Sequence, residues 1–407
     1  MPTYAYTVRD ATGAVIPGTV EAESEGLLRR RLTEQGLTVV DIKETKTAKK
    51  KNVAGGFGRV KLSDLSVFCR QFSTMIDAGV SLVRCLAVLS EQSVNPKLKR
   101  IINDLQAEVE AGQMLSRAMS KYPTVFSNLF IGLIRAGEVG GVLEESLQRL
   151  SMFLEKDQEL RRKVRSAMTY PCIVMIVAIA IVLLLVTFIL PKFMDLFVDL
   201  GVKDYPAPTK MLMAFSNFLT SRWYIMLIGT IAFVIAFRLF VRTKVGRRTY
   251  DRIKLKAPVF GKLNHKIVLA RFSRTLGTLL ASGVPILQAL ETVAGTVSNE
   301  IVADAVMEAR ARIREGDRIG DPLQRCKLFP PMVVQMISIG EESGALDPML
   351  AKVADFYEAE VDAALASLTS AIEPVMIVFL GCAVGFIVIS IFLPLISVVT
   401  SLTGSQN

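Results

Sequence analysis

The chain has 407 residues, 51% of them hydrophobic and 21% charged, with 48 Lys and Arg against 38 Asp and Glu for a net charge of +10. These values exclude a disordered polymer, a collagen and a disulfide-built scaffold. They point to a membrane only if the apolar residues gather into long runs.

In chain order, Tyr4 to Val8 alternates like a strand, Asp10 to Gly13 is a turn, and Ala14 to Glu21 alternates again. Ser24 to Gln35 has a helical pattern, with Ser24 as N-cap and Gly36 just past its end. Thr38 to Ile42 predicts a third strand, so residues 1–45 are expected to form a small ββαβ module. Residues 46–61, with the run Lys49-Lys50-Lys51, have the composition of a solvated tether, with lipid or partner contact as the sharper reading.

From residue 62 the period becomes helical. Leu65, Phe68, Phe72, Met75 and Ile76 recur at three- and four-residue spacing, and Leu82, Leu86 and Leu89 follow after a break at Gly79. Asn95-Pro96 opens another helix that ends at Gly112, and a long pattern runs from Leu143 through Leu154 toward an apolar run. Residues 62–170 therefore predict a bundle of about six helices.

Three runs suit membrane spans of about 20 residues. They are placed at 171–191, 222–241 and 374–396, with an outer loop at 192–221 and a tail at 397–407. Arg238 can snorkel from the second span. Residues 1–170 carry 25 basic and 19 acidic side chains, residues 238–373 carry 19 and 16, and the outer stretch from Pro191 to Arg222 carries 4 and 3. The positive-inside rule then puts the N-terminus and the segment 242–373 in the cytoplasm and the C-terminus in the periplasm. No cleavable signal peptide is expected, so the first span drives insertion. The five cysteines contain no CxxC pair and are expected as reduced thiols.

The chain repeats itself. A shift of 204 lays Phe68 on Phe272, Arg70 on Arg274, Gly79 on Gly283, Asn95 on Asn299 and Gly112 on Gly316. A shift of 203 then lays Phe126 on Phe329, Gly137-Glu138 on Gly340-Glu341, Gly141 on Gly344, Pro171 on Pro374 and Pro191 on Pro394. Each unit is thus a bundle that runs into a span, and residues 242–373 hold the second bundle with its juxtamembrane lead. The expected fold is an all-α integral membrane protein with two repeated cytoplasmic six-helix bundles, three transmembrane helices and the N-terminal ββαβ module.

No Walker A loop, GxSxG or HExxH motif occurs, and the only histidine, His265, lies in a basic juxtamembrane stretch where a surface position is expected. No catalytic residue, cofactor or metal is expected. The span interiors lack the ionisable groups of a transport path. The basic excess lacks the aromatic interleaving of a nucleic-acid surface. The acidic turns remain. Gly137, Glu138 and Gly141 in one unit correspond to Gly340, Glu341 and Gly344 in the other, where Glu342 adds a second acid. These residue types suit a helix–turn–helix in which glycine supplies the turn and acids favour the following helix start. A cation site and a partner contact are the alternatives.

Several stretches together resemble the platform-protein family of type IV pilus and type II secretion machines, PilC and GspF. They are Leu328-Phe329-Pro330-Pro331-Met332, Gly340-Glu341-Glu342-Ser343-Gly344, Arg271-Phe272-Ser273-Arg274-Thr275, the Ser166–Pro171 approach, and the ending from Ile372 to Pro394. The first two tilt the likeness toward the pilus branch. The resemblance implies a non-enzymatic inner-membrane platform. The partners it implies are a cytoplasmic hexameric extension ATPase (a retraction ATPase is left open), pilin subunits, inner-membrane alignment-complex proteins, membrane lipid and further copies of the chain. No nucleic acid is among them.

Overall fold

The computed structural model describes residues 3–9, 15–21, 26, 29–30, 33, 38–45, 59–199, 205–258 and 260–404. Three strands come first: β1 (Thr3–Arg9), β2 (Val15–Glu21) and β3 (Thr38–Thr45). They form an antiparallel sheet in the order β2-β1-β3, with a register shift between Thr7 and Val8 on the β3 side. The complete ββαβ module expected from the sequence is not given by the described residues. Most of the helix placed at Ser24 to Gln35 lies outside them, as does the Lys49–Lys51 run.

The rest is helical. The first unit comprises α1 (Leu62–Asp77), α2 (Leu82–Gln92), α3 (Pro96–Glu110), α4 (Leu115–Ser120), α5 (Asn128–Gly140) and α6 (Leu143–Leu184). A π-turn (Leu185–Ile189) joins α6 to α7 (Leu190–Asp199). Then follow α8 (Ala207–Ser221), α9 (Trp223–Arg242) and the basic α10 (Lys244–Lys256). The second unit repeats the first as α11 (Phe260–Ala281), α12 (Ile286–Thr296), α13 (Glu300–Arg314), α14 (Gly320–Arg325), α15 (Pro331–Ser343) and α16 (Leu346–Gly404).

The same local chemistry builds both units. Asn95 and Asn299 each accept from the second and third amides of the helix they start, at 3.1 and 3.3 Å and at 3.0 and 3.3 Å. An N-cap of this kind stabilises by about 1 kcal/mol. Among the described residues, six glycines with positive φ fall into three repeat pairs: Gly79 with Gly283, Gly112 with Gly316, and Gly141 with Gly344. Only glycine takes this conformation without strain, which explains why the repeat keeps it at helix ends. The Arg70–Glu155 ion pair recurs as Arg274–Glu358, with Asp355 added in the second unit.

Most buried apolar residues of both units belong to one continuous cluster, from Leu65 through Phe130 and Leu150 to Phe272, Leu290 and Leu350, and a smaller cluster around Leu160, Leu263 and Val361 lies nearer the membrane end. Helix α5 packs against α12, and α6 runs along α16. The two repeated six-helix units therefore share one core.

Three stretches of the described residues are long and apolar enough to cross a membrane: Leu143–Asp199, Tyr224–Arg242 and Leu346–Ile396. Two of them carry a bundle helix into the membrane without a break, whereas Tyr224–Arg242 buries no residue in the protein. The stretch 192–221, expected as a loop between spans, is helical up to Asp199 and again over Ala207–Ser221. Part of it packs back on the spans: Leu212 joins Val186, Leu190, Ile387 and Ile391 in a buried cluster, with Met194 and Leu219 against it, while Val198 and Met211 stay exposed.

Candidate functional site

The two acidic turns adopt the same geometry. Helix α5 ends at Gly141 (φ +69°) and α15 at Gly344 (φ +68°). In each, the amide after the glycine reaches back 2.9 Å to the carbonyl of Gly137 or Gly340. Those two glycines are required for a different reason. A Cβ on Gly137 would stand 2.5 Å from Ser146 Oγ, and one on Gly340 would stand 2.9 Å from Leu346 Cα. They let the end of one helix touch the start of the next.

The acids do not serve the following helix. Glu138 accepts from the amides of Leu115 and Ser116, at 2.9 Å for the latter, and Glu341 accepts from Ile319 N at 2.8 and 3.1 Å. Leu115 and Ile319 are repeat equivalents, so each carboxylate closes off the start of the short helix just before its own, α4 or α14. Glu342 is different: it makes an exposed 2.8 Å ion pair with Arg318 and is free to meet solvent. Structure thus brings Gly137, Glu138 and Gly141, and likewise Gly340, Glu341 and Gly344, into turn and capping roles and leaves Glu342 outermost. Among the described residues no group of three or more His, Cys, Asp and Glu is arranged to hold a metal ion.

His265 is not the surface residue expected. It is half-buried, with Nε2 2.6 Å from the Leu328 carbonyl. A carbonyl only accepts, so Nε2 carries the proton.

Across the boundary between units, the largely buried Asp157 binds two arginines. Arg161 Nε lies 2.8 Å away and Arg271 of the second unit 3.2 Å away. Burial pulls the Arg271 guanidinium below its ordinary pKa, and Asp157 opposes that shift. Lys163 reaches Asp362 at 2.7 Å. For Arg274, burial acts to lower the pKa, but hydrogen bonds to Glu358 and Asp355 outweigh it and leave the group raised.

At the far end of the spans, α8 clasps both long helices by a means the sequence reading missed. In the π-turn the Leu190 amide bonds to Leu185 O, so it no longer reaches Val186 O. The next residue that could do so is Pro191, which has no N–H. Ser216 of α8 supplies the missing donor, 2.7 Å from Val186 O. In the last helix the residue four after Ser390 is Pro394, again without an N–H, and Thr209 of α8 donates to Ser390 O at 2.6 Å. Both hydrogen bonds are buried. The two prolines are repeat equivalents, and one helix between the units repairs both. The signal was present in the spacing of Pro191 and Pro394, but which hydroxyls answer them depends on tertiary packing.

A duplicated helical unit that carries its own helices into the membrane, with the repeat-related Glu138 and Glu341 both used as internal caps, belongs to the scaffold class of multi-pass membrane proteins. The chain belongs to the family described as type II secretion system (T2SS) protein F, whose model matches residues 68–191 and 272–394, one match per unit. The N-terminal domain of the same family matches residues 1–43.

Among its relatives is the type IV pilus assembly protein PilC of Thermus thermophilus, 46% identical over 99% of this chain and 100% of that protein. PilC of Myxococcus xanthus is 42% identical over 97% of this chain and 94% of its own length. The type II secretion system protein F of Vibrio cholerae is 33% identical over 97% and 98%. The chain is therefore a multi-pass inner-membrane platform protein of the PilC and GspF family, of a type IV pilus or type II secretion machine.

Proposed function

We propose that the chain is the platform of a type IV pilus machine, and that it couples a cytoplasmic hexameric ATPase to the insertion of pilin subunits into the fibre. The observation that carries this reading is the pair of helices leaving one shared core. At 1.5 Å per residue, the 57-residue stretch Leu143–Asp199 is about 85 Å long, enough to join a cytoplasmic contact to the outer leaflet. A displacement of the bundle body is thereby delivered to both spans together. The excess of Lys and Arg in 1–170 and 238–373 supports a cytoplasmic bundle body and a periplasmic C-terminus. Higher identity to the two pilus relatives than to the secretion relative supports the pilus branch.

Of the acidic-turn residues, Glu342 with Arg318 is the pair still open to a partner, and we assign it to the ATPase contact. The remaining partners in this reading are pilin, the alignment-complex proteins and further copies of the chain.

The test is deletion and complementation, with surface fibres imaged and secreted proteins profiled in parallel. Loss of fibres with normal secretion is expected. Normal fibres with lost secretion would move the chain to the secretion branch. If fibres survive, and if the purified platform does not alter hydrolysis by its ATPase, the coupling is refuted.

A further inference from the structure

A cleft of about 350 Å³ opens where the first unit's long helix meets the second unit, just before the first span. Four cationic side chains line it: Arg161 and Arg165 from α6, Lys254 from α10 and Arg271 from α11. No carboxylate lines it. Arg161 and Arg271 share Asp157 beside it, so four cations meet one carboxylate. Neither Arg165 nor Lys254 has a carboxylate within ion-pair distance among the described residues. Lys254 lies 4.3 Å over the Tyr250 ring instead. Arg271 Nε is buried without an acceptor. Val164, Met168 and Ile267 make the lining half apolar.

Depth selects the ligand. Arg165 precedes Cys172, the first residue of the uncharged run, by seven positions, or about 10 Å of helix. Met168 is closer still, at about 6 Å. Polar headgroups occupy roughly 5–8 Å on each side of the hydrocarbon, so Met168 lies at their level and Arg165 lies just beyond it, within reach of its own long side chain. Uncompensated cations beside apolar side chains at that level match a phosphodiester with acyl chains attached, and basic pockets between helices on this side of a bilayer recognise such headgroups.

We propose that this cleft is a specific binding site for an anionic phospholipid. Its phosphate meets Arg165 and Lys254, with Arg271 behind them, and its chains pass Met168 toward the spans. A lipid held there bridges the two units at the level where both enter the membrane. The inference rests on membrane insertion alone and not on the pilus reading.

The test uses the full chain in detergent, with retained lipid counted by native mass spectrometry. Phosphatidylglycerol is expected to bind in preference to phosphatidylcholine. At about 1 kcal/mol per cation, the double variant Arg165→Gln with Lys254→Gln should lose about 25-fold in affinity. Neither residue gives up an ion pair, and only the Lys254 contact with the Tyr250 ring is lost, so the lipid-free melting temperature should change little. Removing two cations far from the cleft, Arg84→Gln with Lys99→Gln, should leave lipid affinity intact. Equal loss in both double variants, or none in the first, would overturn a specific site. Displacement of the lipid by inorganic phosphate would overturn the lipid as its occupant.

Discussion

Glu138 and Glu341 each sit where a carboxylate holds backbone amides, and the neighbouring Glu342 does not. The consequences differ in size. Glu138→Ala leaves two amides at a short helix start without an acceptor and Glu341→Ala leaves one, a loss of about 1–2 kcal/mol in each case. Glu342→Ala removes an exposed pair and should change stability by less than about 1 kcal/mol. Gly137→Ala is expected to exceed both, because a helix start must move to admit the methyl group. Denaturant melts of the full chain in detergent, ranked in that order, check the set. A Glu342→Ala protein as unstable as Glu341→Ala would remove the distinction between cap and contact. The turn glycines were legible as turns because Gly after a helical run has few other uses. The target of the acids was not. A carboxylate at the end of one helix is near the next in sequence but nearer α4 or α14 in space.

At the scale of the element, α8 has a role that the sequence reading did not supply. Its segment lies between two spans and carries polar residues, so it reads as an outer loop. Yet two proline-orphaned carbonyls in hydrocarbon each need a donor, and Ser216 and Thr209 are those donors. Ser216→Ala should cost about 1 kcal/mol, within the range of hydroxyl bonds between membrane helices. In a Pro191→Ala background the restored amide can take over Val186 O, so the same substitution should cost little. Thr209→Val and Pro394→Ala should couple in the same way. Thermal melts of the four proteins in each cycle measure the coupling, and strict additivity would show that the hydroxyls do not answer the prolines.

At the scale of the molecule, the continuous core makes the two bundles one cooperative body. Spectroscopic probes placed on α2 and on α13 should report one unfolding midpoint. Two separated midpoints would mean that the units move independently, and the drive to the two spans would then have to be delivered twice. The repeat was legible because both copies spend the same residues on the same local problems: asparagine at a helix start, glycine at a left-handed turn, proline at the membrane exit. The fusion of their cores was not legible, because an apolar stripe shows that a face is buried but not what covers it.

The sequence by itself determined the membrane-crossing helices, the duplication and the family, since these depend on periods and spacings along one chain. Tertiary structure decided what lies between them. Asp157 joins the units, α8 clasps the spans, the acids turn to the short helices, and four cations converge on one cleft. Each of those depends on groups far apart in the chain, whose meeting is set by packing and by the need of every buried polar group for a partner.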